Sequence, residues 1–468
     1  MSDRTDERSF PRPDERGSNS DGSEPPLCPE IADPTSAPST SQAAADPYVA
    51  WRNRDYRCYA AGWFLLTVAK MIETVAVQVY VHERTGSALA LGLIGLVQAV
   101  PMMLWAIPGG QIADRWDRRR VMIAMLGLST LVSAGLTAAV SQDVAVEWIY
   151  VLLFVGASAA ALGTPSRAAL LPQIVAAENF SNAVTWNSSV FQIASMTGPA
   201  IGGLIIGTQL NTPRALAVVV VCRLFSLAAM WGVRGRPVER QAESISWESL
   251  LGGIRFVGKT KLILATITLD MFAVLLGGAT YLLPIFARDI LNAGPQGLGF
   301  LRSAEAVGAV SMAVLLAHSP PMRRAGRTLL WAVAGFGAAM IVFGLSRSYP
   351  LSLAMMFLVG ALDNVSVVVR HTLVQMLTPD SMRGRVSAVN SVFIVASNDL
   401  GGLESGVTAA IFGPVTSVVL GGVGTILVVI GAARVWPQIL GIGSLQDIRP
   451  ATAAQAELAA DSERALRA

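Results

Sequence analysis

The sequence alternates between long apolar runs and short arginine-rich patches, and this alternation limits what the chain can fold into. About twelve runs of roughly 20 residues follow one another between residues 58 and 436, and a helix of that length spans the hydrocarbon core of a bilayer. Apolar residues make up 53% of the chain and charged residues only 14%, about half the charged share of a typical soluble domain. The sequence therefore predicts an all-α protein that crosses a membrane many times.

The predicted spans fall into two sets of six. Spans 1 to 12 cover residues 58–81, 88–110, 121–141, 147–170, 183–207, 214–233, 262–286, 297–317, 328–346, 351–376, 386–412 and 415–436. The predicted domains are an N-terminal tail at 1–50, a six-helix bundle at 51–234, a linker at 235–261, a second six-helix bundle at 262–437 and a C-terminal tail at 438–468.

The N-terminal tail and the linker differ from the spans in composition. Residues 1–50 are rich in Ser, Pro, Asp and Arg and are predicted to be disordered. No signal peptide is predicted, because no short apolar core follows the basic start. Within the linker, residues 245–257 place apolar positions at helical spacing beside charged ones. This pattern favours an amphipathic helix lying in the cytoplasmic interface of the membrane, and a plain linker is the alternative.

The distribution of Lys and Arg predicts the orientation of the spans. If both termini are cytoplasmic, the outer loops hold only Arg84, Arg214, Arg288 and Arg347, and the remaining Lys and Arg residues near span ends lie in inner loops. Inner loops of membrane proteins carry such an excess of positive charge. We therefore expect a multi-pass protein of a cytoplasmic membrane, in contact with the lipid bilayer, with both termini in the cytoplasm.

The residue inventory does not indicate an enzyme. His82, His318 and His371 are far apart in the sequence, no glycine-rich phosphate loop is present, and the three cysteines are too scattered for a disulfide framework or a metal site. The Lys and Arg residues lie between apolar spans, so the net charge of +3 does not indicate binding to nucleic acid. The sequence thus predicts no catalysis, cofactor, metal or nucleic-acid partner.

Charged residues inside the spans are the candidate functional residues, because a charge at the bilayer centre costs about 2.5–3.5 kcal/mol. The candidates are Lys70, Glu73, Arg223, Asp270, Arg302, Glu305, Asp363, Arg370 and Asp399. A single polar residue often only joins two helices, but a set spread over several spans favours a polar central cavity. Arg223 lies too deep to reach water, so Glu73 or another cavity carboxylate is its expected partner.

Lys70 and Glu73 share one face of span 1 because they are separated by three positions. Two interpretations of this pair stay open. The two side chains form either an ion pair that only satisfies both groups, or a cavity pair whose carboxylate binds a proton or a cation.

The two halves of the sequence also resemble each other. A shift of 203 residues superimposes Arg167 on Arg370, Asn187 on Asn390, Gly198 on Gly401 and Gly203 on Gly406. Two parallel halves related by an axis along the membrane normal produce such matches, and internal repeats of this kind are typical of transporters.

Several motifs resemble those of the major facilitator superfamily (MFS). The loop between spans 2 and 3 reads Gly-Gln-Ile-Ala-Asp-Arg-Trp-Asp-Arg-Arg over residues 110–119 and resembles the loop 2–3 signature, with Asp117 where the signature has glycine. The end of span 5 resembles the tail of the helix 5 signature of MFS antiporters, whose upstream glycines are absent here. Its residues are Gly198, Pro199, Gly202 and Gly203.

Three further stretches narrow the resemblance. Residues 164–172, 297–308 and 378–390 are similar to the bacterial MFS branch that contains enterobactin-type siderophore exporters and related proton-coupled drug efflux proteins. The resemblance covers about residues 51–437. It implies the MFS fold, with two pseudo-symmetric six-helix bundles in a bacterial inner membrane. It also implies export of a siderophore or a small amphipathic compound by alternating access, driven by protons. We expect the protein to be a monomer.

The resemblance also assigns roles to residues. Many MFS proton antiporters carry an arginine in the middle of helix 4, but residues 151–163 contain none, so coupling is expected at Glu73, Asp270, Glu305 or Asp363. Asp114 is expected to accept hydrogen bonds from the free amides at the start of span 11, near residues 385–387, and so to close the cytoplasmic side. The residues of this conformational gate are Gly110, Asp114, Arg115, Arg118 and Arg119.

Two other functions remain as alternatives. The first is uptake or facilitated exchange of a polar metabolite on the same fold. The second is a membrane sensor or assembly protein that transports nothing, although the sequence carries no appended signalling domain.

Overall fold

The computed structural model describes residues 47–234, 247–277, 279–320 and 322–444. Within these ranges the chain is helical and contains no β-strand. Most of the predicted tails, at 1–46 and 445–468, lies outside the described residues, as does the linker segment 235–246.

Fourteen helices of ten or more residues are found in the described ranges. They are α1 (Arg54–Thr85), α2 (Ala88–Leu104), α3 (Ala106–Arg115), α4 (Arg118–Ser141), α5 (Val146–Ile174), α6 (Phe180–Ile205), α7 (Asn211–Trp231), α8 (Trp247–Lys259), α9 (Lys261–Gly277), α10 (Gly294–His318), α11 (Ala325–Leu345), α12 (Tyr349–Leu377), α13 (Asp380–Phe412) and α14 (Pro414–Val435). Short helical turns lie at Val49–Arg52, Ala177–Asn179, Ile206–Leu210, Ala279–Tyr281, Leu283–Ile285, Phe286–Ile290 and Pro437–Ile439.

The described helices match the predicted spans, with two breaks. Ten of them are long and apolar enough to cross a membrane. Span 2 is divided into α2 and α3 at Trp105, because Pro108 has no N–H to donate to the carbonyl of Leu104 and its ring crowds that carbonyl. Span 7 is divided too, since α9 ends at Gly277 and short helical turns continue the crossing to Ile290. Ten continuous and two broken helices give the predicted number of about twelve.

Two element boundaries bear on the site predictions. The predicted linker helix is present as α8. The predicted start of span 11 near residues 385–387 is wrong, because α13 begins at Asp380, directly after Pro379. Proline is well tolerated just before a first helical turn, because the backbone N–H that it lacks would have no partner within the helix there. The amides of residues 385–387 therefore lie inside the helix rather than at its free end.

Two close helix contacts join the first half of the described chain (47–234) to the second (247–444). Helix α6 packs on α10, and α2 packs on α13. A Cβ atom added at Gly203 would lie 2.9 Å from the Cα atom of Gly299, and one added at Gly406 would lie 2.7 Å from the Cα atom of Gly92. Small residues allow such close approach. Because Gly203 and Gly406 are matched by the shift of 203 residues, the two contacts support the internal repeat.

Both glycine contacts lie at the same end of the helix bundle. We call the end that holds Arg118, Arg119 and the start of α13 the Arg-rich end, and the other the opposite end. At the opposite end, His82 Nε2 lies 3.0 Å from Asp289 Oδ2, and Arg288 Nη1 lies 3.6 Å from Glu83 Oε1. Each pair joins α1 to the segment that follows α9, so polar contacts as well as glycine packing hold the halves together there.

Candidate functional site

A cavity of about 410 Å³ lies among α1, α2, α4, α5, α6 and α7, with Val395 and Asp399 of α13 also in its wall. Its volume is within the range of sites that bind small organic molecules. The wall is mostly apolar, and methionines contribute to it from α1, α2, α4 and α7. These are Met71, Met102, Met122, Met125 and Met230. Unbranched methionine side chains adapt to ligands of different shapes. We call this space the main cavity.

Glu73 and Arg223 form a buried ion pair in the wall of the main cavity. Arg223 Nη2 lies 3.0 Å from Glu73 Oε2, and both side chains are 6% exposed. The hydroxyl of Ser133 donates to Glu73 Oε2 at 2.8 Å, and Arg223 Nη1 donates to the carbonyl of Ser129 at 2.5 Å. The predicted partnership of Arg223 with Glu73 is therefore confirmed. Helix α4 supplies the hydrogen bonds that a desolvated pair of charges requires.

Lys70 takes part in this network more weakly. Its Nζ atom lies 3.9 Å from Glu73 Oε1, and its side chain is 44% exposed. It donates a hydrogen bond of 2.9 Å to Gln98 Oε1 on α2. Glu73 is thus held chiefly by Arg223, while Lys70 presents its ammonium group to the cavity.

Asp399 brings the second half of the chain to the main cavity. The hydroxyl of Tyr281 donates to Asp399 Oδ1 at 2.8 Å. The backbone of Asp399 lies against α2, since a Cβ atom added at Gly95 would lie 2.3 Å from the carbonyl oxygen of Asp399. Asp399 is therefore placed where α2 and α13 meet, with its carboxylate held by a phenol.

One part of the cavity wall is a stack of three side chains. The Cζ atom of Arg167 lies 3.6 Å from the ring centroid of Trp63. The rings of Trp63 and Phe191 are stacked, with centroids 6.2 Å apart and an interplanar angle of 16°. All three residues line the main cavity. We call this group the Arg167 platform.

The sequence prediction missed the Arg167 platform as a site. The predicted span 4 covers residues 147–170, so Arg167 lies near the end of that prediction. In the structure, α5 continues to Ile174 and carries Arg167 within the helix. Arg167 belongs to the stretch 164–172 and matches Arg370 in the internal repeat. An arginine within a span was thus the available signal. Trp63 and Phe191 gave none, since aromatic residues in a span usually serve packing.

A second, smaller cavity of about 100 Å³ lies among α9, α10, α11, α12 and α13. Asp270, Glu305, Asp363 and Arg370 all line it. Asp270 and Arg370 form an ion pair in which both side chains are almost fully buried. This cavity is large enough for a few water molecules but not for a drug-sized solute. We call it the carboxylate cavity.

The prediction of a single polar central cavity is therefore wrong. Lys70, Glu73, Arg223 and Asp399 line the main cavity, and the other carboxylates line the carboxylate cavity. The reason is the direction of the helix faces: Asp270 and Asp363 both face the carboxylate cavity within the second half, which sequence spacing along one helix does not reveal.

Arg302 belongs to neither cavity wall. Its Nη2 atom donates to Gln78 Oε1 at 2.7 Å and to the carbonyl of Thr280 at 3.1 Å. Gln78 is on α1, so Arg302 of α10 connects the two halves of the chain. Arg302 was expected to be a cavity residue, but it instead forms a contact between the two halves of the chain.

The loop 2–3 motif packs within the first half. Gly110 is buried in α3, and Arg115 is exposed at its end. Arg118 Nη1 donates to the carbonyl of Ala169 at 3.4 Å, and Arg119 Nη2 donates to the carbonyl of Trp231 at 2.5 Å. These arginines bind the ends of α5 and α7. The side chain of Asp114 lies outside the described residues, so its role in the gate remains a prediction.

The helix 5 signature lies between α1 and α10. A Cβ atom added at Gly198 would lie 2.5 Å from the Cβ atom of Met71, and one added at Gly202 would lie 3.2 Å from the Cα atom of Ile72. On the other side, a Cβ atom added at Gly299 would lie 2.5 Å from the carbonyl oxygen of Pro199. The motif is a seam of small residues in contact with both halves.

Comparison with known proteins identifies the family. A family profile described as a transmembrane secretion effector of the major facilitator superfamily matches residues 47–455. The chain belongs to this family. Its known members are transporters rather than enzymes, which agrees with the sequence prediction.

The curated relatives include siderophore exporters. The enterobactin exporter EntS of Escherichia coli O1:K1 / APEC is 27% identical over 382 residues, which cover 80% of this chain and 89% of that protein. EntS of Escherichia coli O139:H28 (strain E24377A / ETEC) gives the same identity and coverage.

Solved structures share the fold at low sequence identity. A bacterial homolog of the human lysosomal transporter Spinster, in an inward-facing and occupied conformation, has a TM-score of 0.67 and 15% identity, and covers 85% of this chain and 99% of its own. The nucleoside transporter NupG has a TM-score of 0.65 and 11% identity, with coverage of 82% and 99%. The fold is thus that of MFS transporters.

Proposed function

We propose that this protein exports a siderophore or another small amphipathic compound across a bacterial cytoplasmic membrane, by proton-coupled alternating access. The observation that carries the proposal is the main cavity. It is large enough for an organic solute, its methionine-rich wall adapts to varied shapes, and charged groups from both halves of the chain border it. Its position in a chain similar to enterobactin exporters favours export of a related compound.

The contacts at the opposite end support alternating access. Glycine seams and the polar pairs of His82 and Arg288 hold the halves together there, while the main cavity extends toward the Arg-rich end as far as Met122 and Met230. With the Arg-rich end in the cytoplasm, as the positive-inside rule favours, we interpret this arrangement as an inward-facing conformation. Transport would then require these contacts to break and the Arg-rich end to close.

Proton coupling is proposed at the carboxylate cavity. Asp270, Glu305 and Asp363 line a small space with Arg370, and Asp270 is paired with that arginine. Arg302 lies near Glu305, but two guanidinium groups cannot neutralise three carboxylates in a poorly solvated space, where an uncompensated charge is costly. Uptake and release of a proton would relieve this imbalance as solvent access changes. Glu73 is a weaker candidate, because Arg223 and Ser133 already satisfy its carboxylate.

Transport into inverted membrane vesicles tests the proposal. Vesicles that contain the protein should accumulate enterobactin or a related amphipathic solute when the lumen is made acidic, and should do so much less without a pH gradient. Accumulation that does not depend on the gradient would instead favour facilitated exchange. No accumulation across a broad panel of siderophores and drugs would contradict a transport function.

Amide variants test the coupling site. Asp270→Asn, Glu305→Gln and Asp363→Asn should each reduce the response of transport to the pH gradient by about tenfold or more. Glu147→Gln is the matched control, because Glu147 is exposed at the first turn of α5. Full proton-driven transport by all three cavity variants would show that protons are coupled elsewhere.

A further inference from the structure

The Arg167 platform differs from the rest of the main cavity in its charge. The cavity wall holds three cationic side chains, Lys70, Arg167 and Arg223, and two carboxylates, Glu73 and Asp399. Arg223 is paired with Glu73, and Lys70 also lies beside Glu73. With Asp399 included, the groups other than Arg167 carry no net formal charge. The positive charge of Arg167 is therefore left over.

No carboxylate compensates Arg167 within the described part of the chain. None of the described Asp and Glu side chains lies within 4.0 Å of its guanidinium nitrogens. Its guanidinium group lies over the face of Trp63, at 3.6 Å, and is hydrogen-bonded to the hydroxyl of Tyr59. Stacking uses the face of a guanidinium group, and one phenol oxygen does not occupy its five N–H donors, so the rest of the N–H edge can donate to an anion in the same plane.

The aromatic members give the platform a second property. Trp63 and Phe191 stack on each other beside Arg167, and Phe191 is 41% exposed. Trp63 lies about two helical turns before Lys70 on α1, roughly 10 Å closer to the Arg-rich end. A ligand at the platform is therefore separated from the balanced charges of Lys70 and Glu73, and it meets aromatic faces together with a single guanidinium group.

From this arrangement we infer that Arg167, Trp63 and Phe191 form a binding subsite for a planar aromatic group that carries a negative charge. The aromatic ring of the ligand packs on the exposed ring of Phe191 beside Trp63, and its anionic group accepts hydrogen bonds from Arg167. Charge-assisted bonds of this type are stronger than neutral ones. The inference deepens the proposed function by assigning a chemical class to the exported compound. It rests on that function only in taking the bound compound to be the one that is exported.

Two probes that differ only in charge test the subsite. We choose 2-naphthoate and its neutral isostere 2-naphthamide, and binding to the purified full-length protein is measured by isothermal titration calorimetry. The protein should bind the carboxylate at least tenfold more tightly, a difference of about 1.4 kcal/mol. Arg167→Gln should lose this preference while it still binds the amide, which also shows that the variant is folded.

Further variants separate the role of charge from that of stacking. Arg167→Lys keeps the charge but loses the planar fork, so part of the preference should remain. Trp63→Leu should weaken both probes by similar factors. Arg214→Gln is the matched control, since Arg214 is exposed on α7 and does not line the main cavity.

The possible results separate this inference from the proposed function. If the wild-type protein does not prefer 2-naphthoate, or if Arg167→Gln keeps the preference, the subsite is refuted, even where vesicles still export a siderophore. If the preference is present and depends on Arg167 but vesicles accumulate no solute, the subsite stands and the transport proposal fails.

Discussion

The buried pair of Glu73 and Arg223 gives the sharpest prediction for stability. Replacing Arg223 by Met would leave the Glu73 carboxylate 6% exposed with only the Ser133 hydroxyl at 2.8 Å and the Lys70 ammonium at 3.9 Å. Removing one partner of a buried ion pair typically costs about 3–5 kcal/mol. We expect Arg223→Met to lower the free energy of unfolding by about this amount.

Lys70 provides the comparison, because it lies beside the same carboxylate. Its side chain is 44% exposed and its Nζ atom is 0.9 Å further from Glu73 than Arg223 Nη2 is, at 3.9 Å against 3.0 Å. Exposed pairs contribute about 0–1 kcal/mol, so Lys70→Met should have an effect in that range. The double variant Glu73→Gln/Arg223→Met contains no buried unpaired charge at this site and should be much closer to wild type than Arg223→Met alone.

The assay is unfolding of the purified protein in mild detergent by titration with SDS, with helix content as the readout. Equal losses for Lys70→Met and Arg223→Met would refute the view that burial decides the strength of these contacts. A double variant that is less stable than Arg223→Met would refute the view that the unpaired charge causes the loss.

Three further predictions concern the two ends of the bundle. Gly203→Leu should force α6 from α10 at Gly299 and favour opening of the opposite end, seen as a longer distance between spin labels placed across it. Asp289→Asn removes one charge from the contact with His82 and should increase the same opening by a smaller amount. Asp114→Asn should weaken the state closed at the Arg-rich end and reduce transport, while membrane insertion stays unchanged.

Each of these predictions has a control or a contradicting result. Gly127→Leu is the control for Gly203, because a Cβ atom added there meets nothing within 4 Å, and it should leave the label distances unchanged. If Asp289→Asn opens the end more than Gly203→Leu does, polar contacts rather than glycine packing dominate the seam. Unchanged turnover and unchanged cysteine accessibility at the Arg-rich end in Asp114→Asn would contradict the gate.

Much of the fold could be predicted because the membrane imposes the length of each span. The partnership of Glu73 with Arg223 was also accessible from the sequence, since an arginine that deep must have a partner and few carboxylates are available. The breaks at Trp105 and after Gly277 were missed, because hydropathy sums over a window and is insensitive to one lost hydrogen bond.

The arrangement of the site was harder to predict than its residues. Asp270 and Arg370 lie 100 positions apart, and their pairing depends on the rotation of α9 against α12, which composition does not encode. Arg302 was placed in a cavity although it contacts Gln78 across the halves. The Arg167 platform is built from side chains of three different helices, and these side chains stack only when the helices have packed together.

The central claim is that the main cavity holds the exported compound. Ala160 lines this cavity and is exposed to it, so Ala160→Trp should fill part of the space without altering a charged group. The decisive measurement is accumulation of enterobactin by inverted vesicles with an acidic lumen, for wild type and for Ala160→Trp at equal protein content. The account predicts accumulation by the wild type and its loss in the variant. Accumulation that is the same in both, or absent from the wild type, would contradict it.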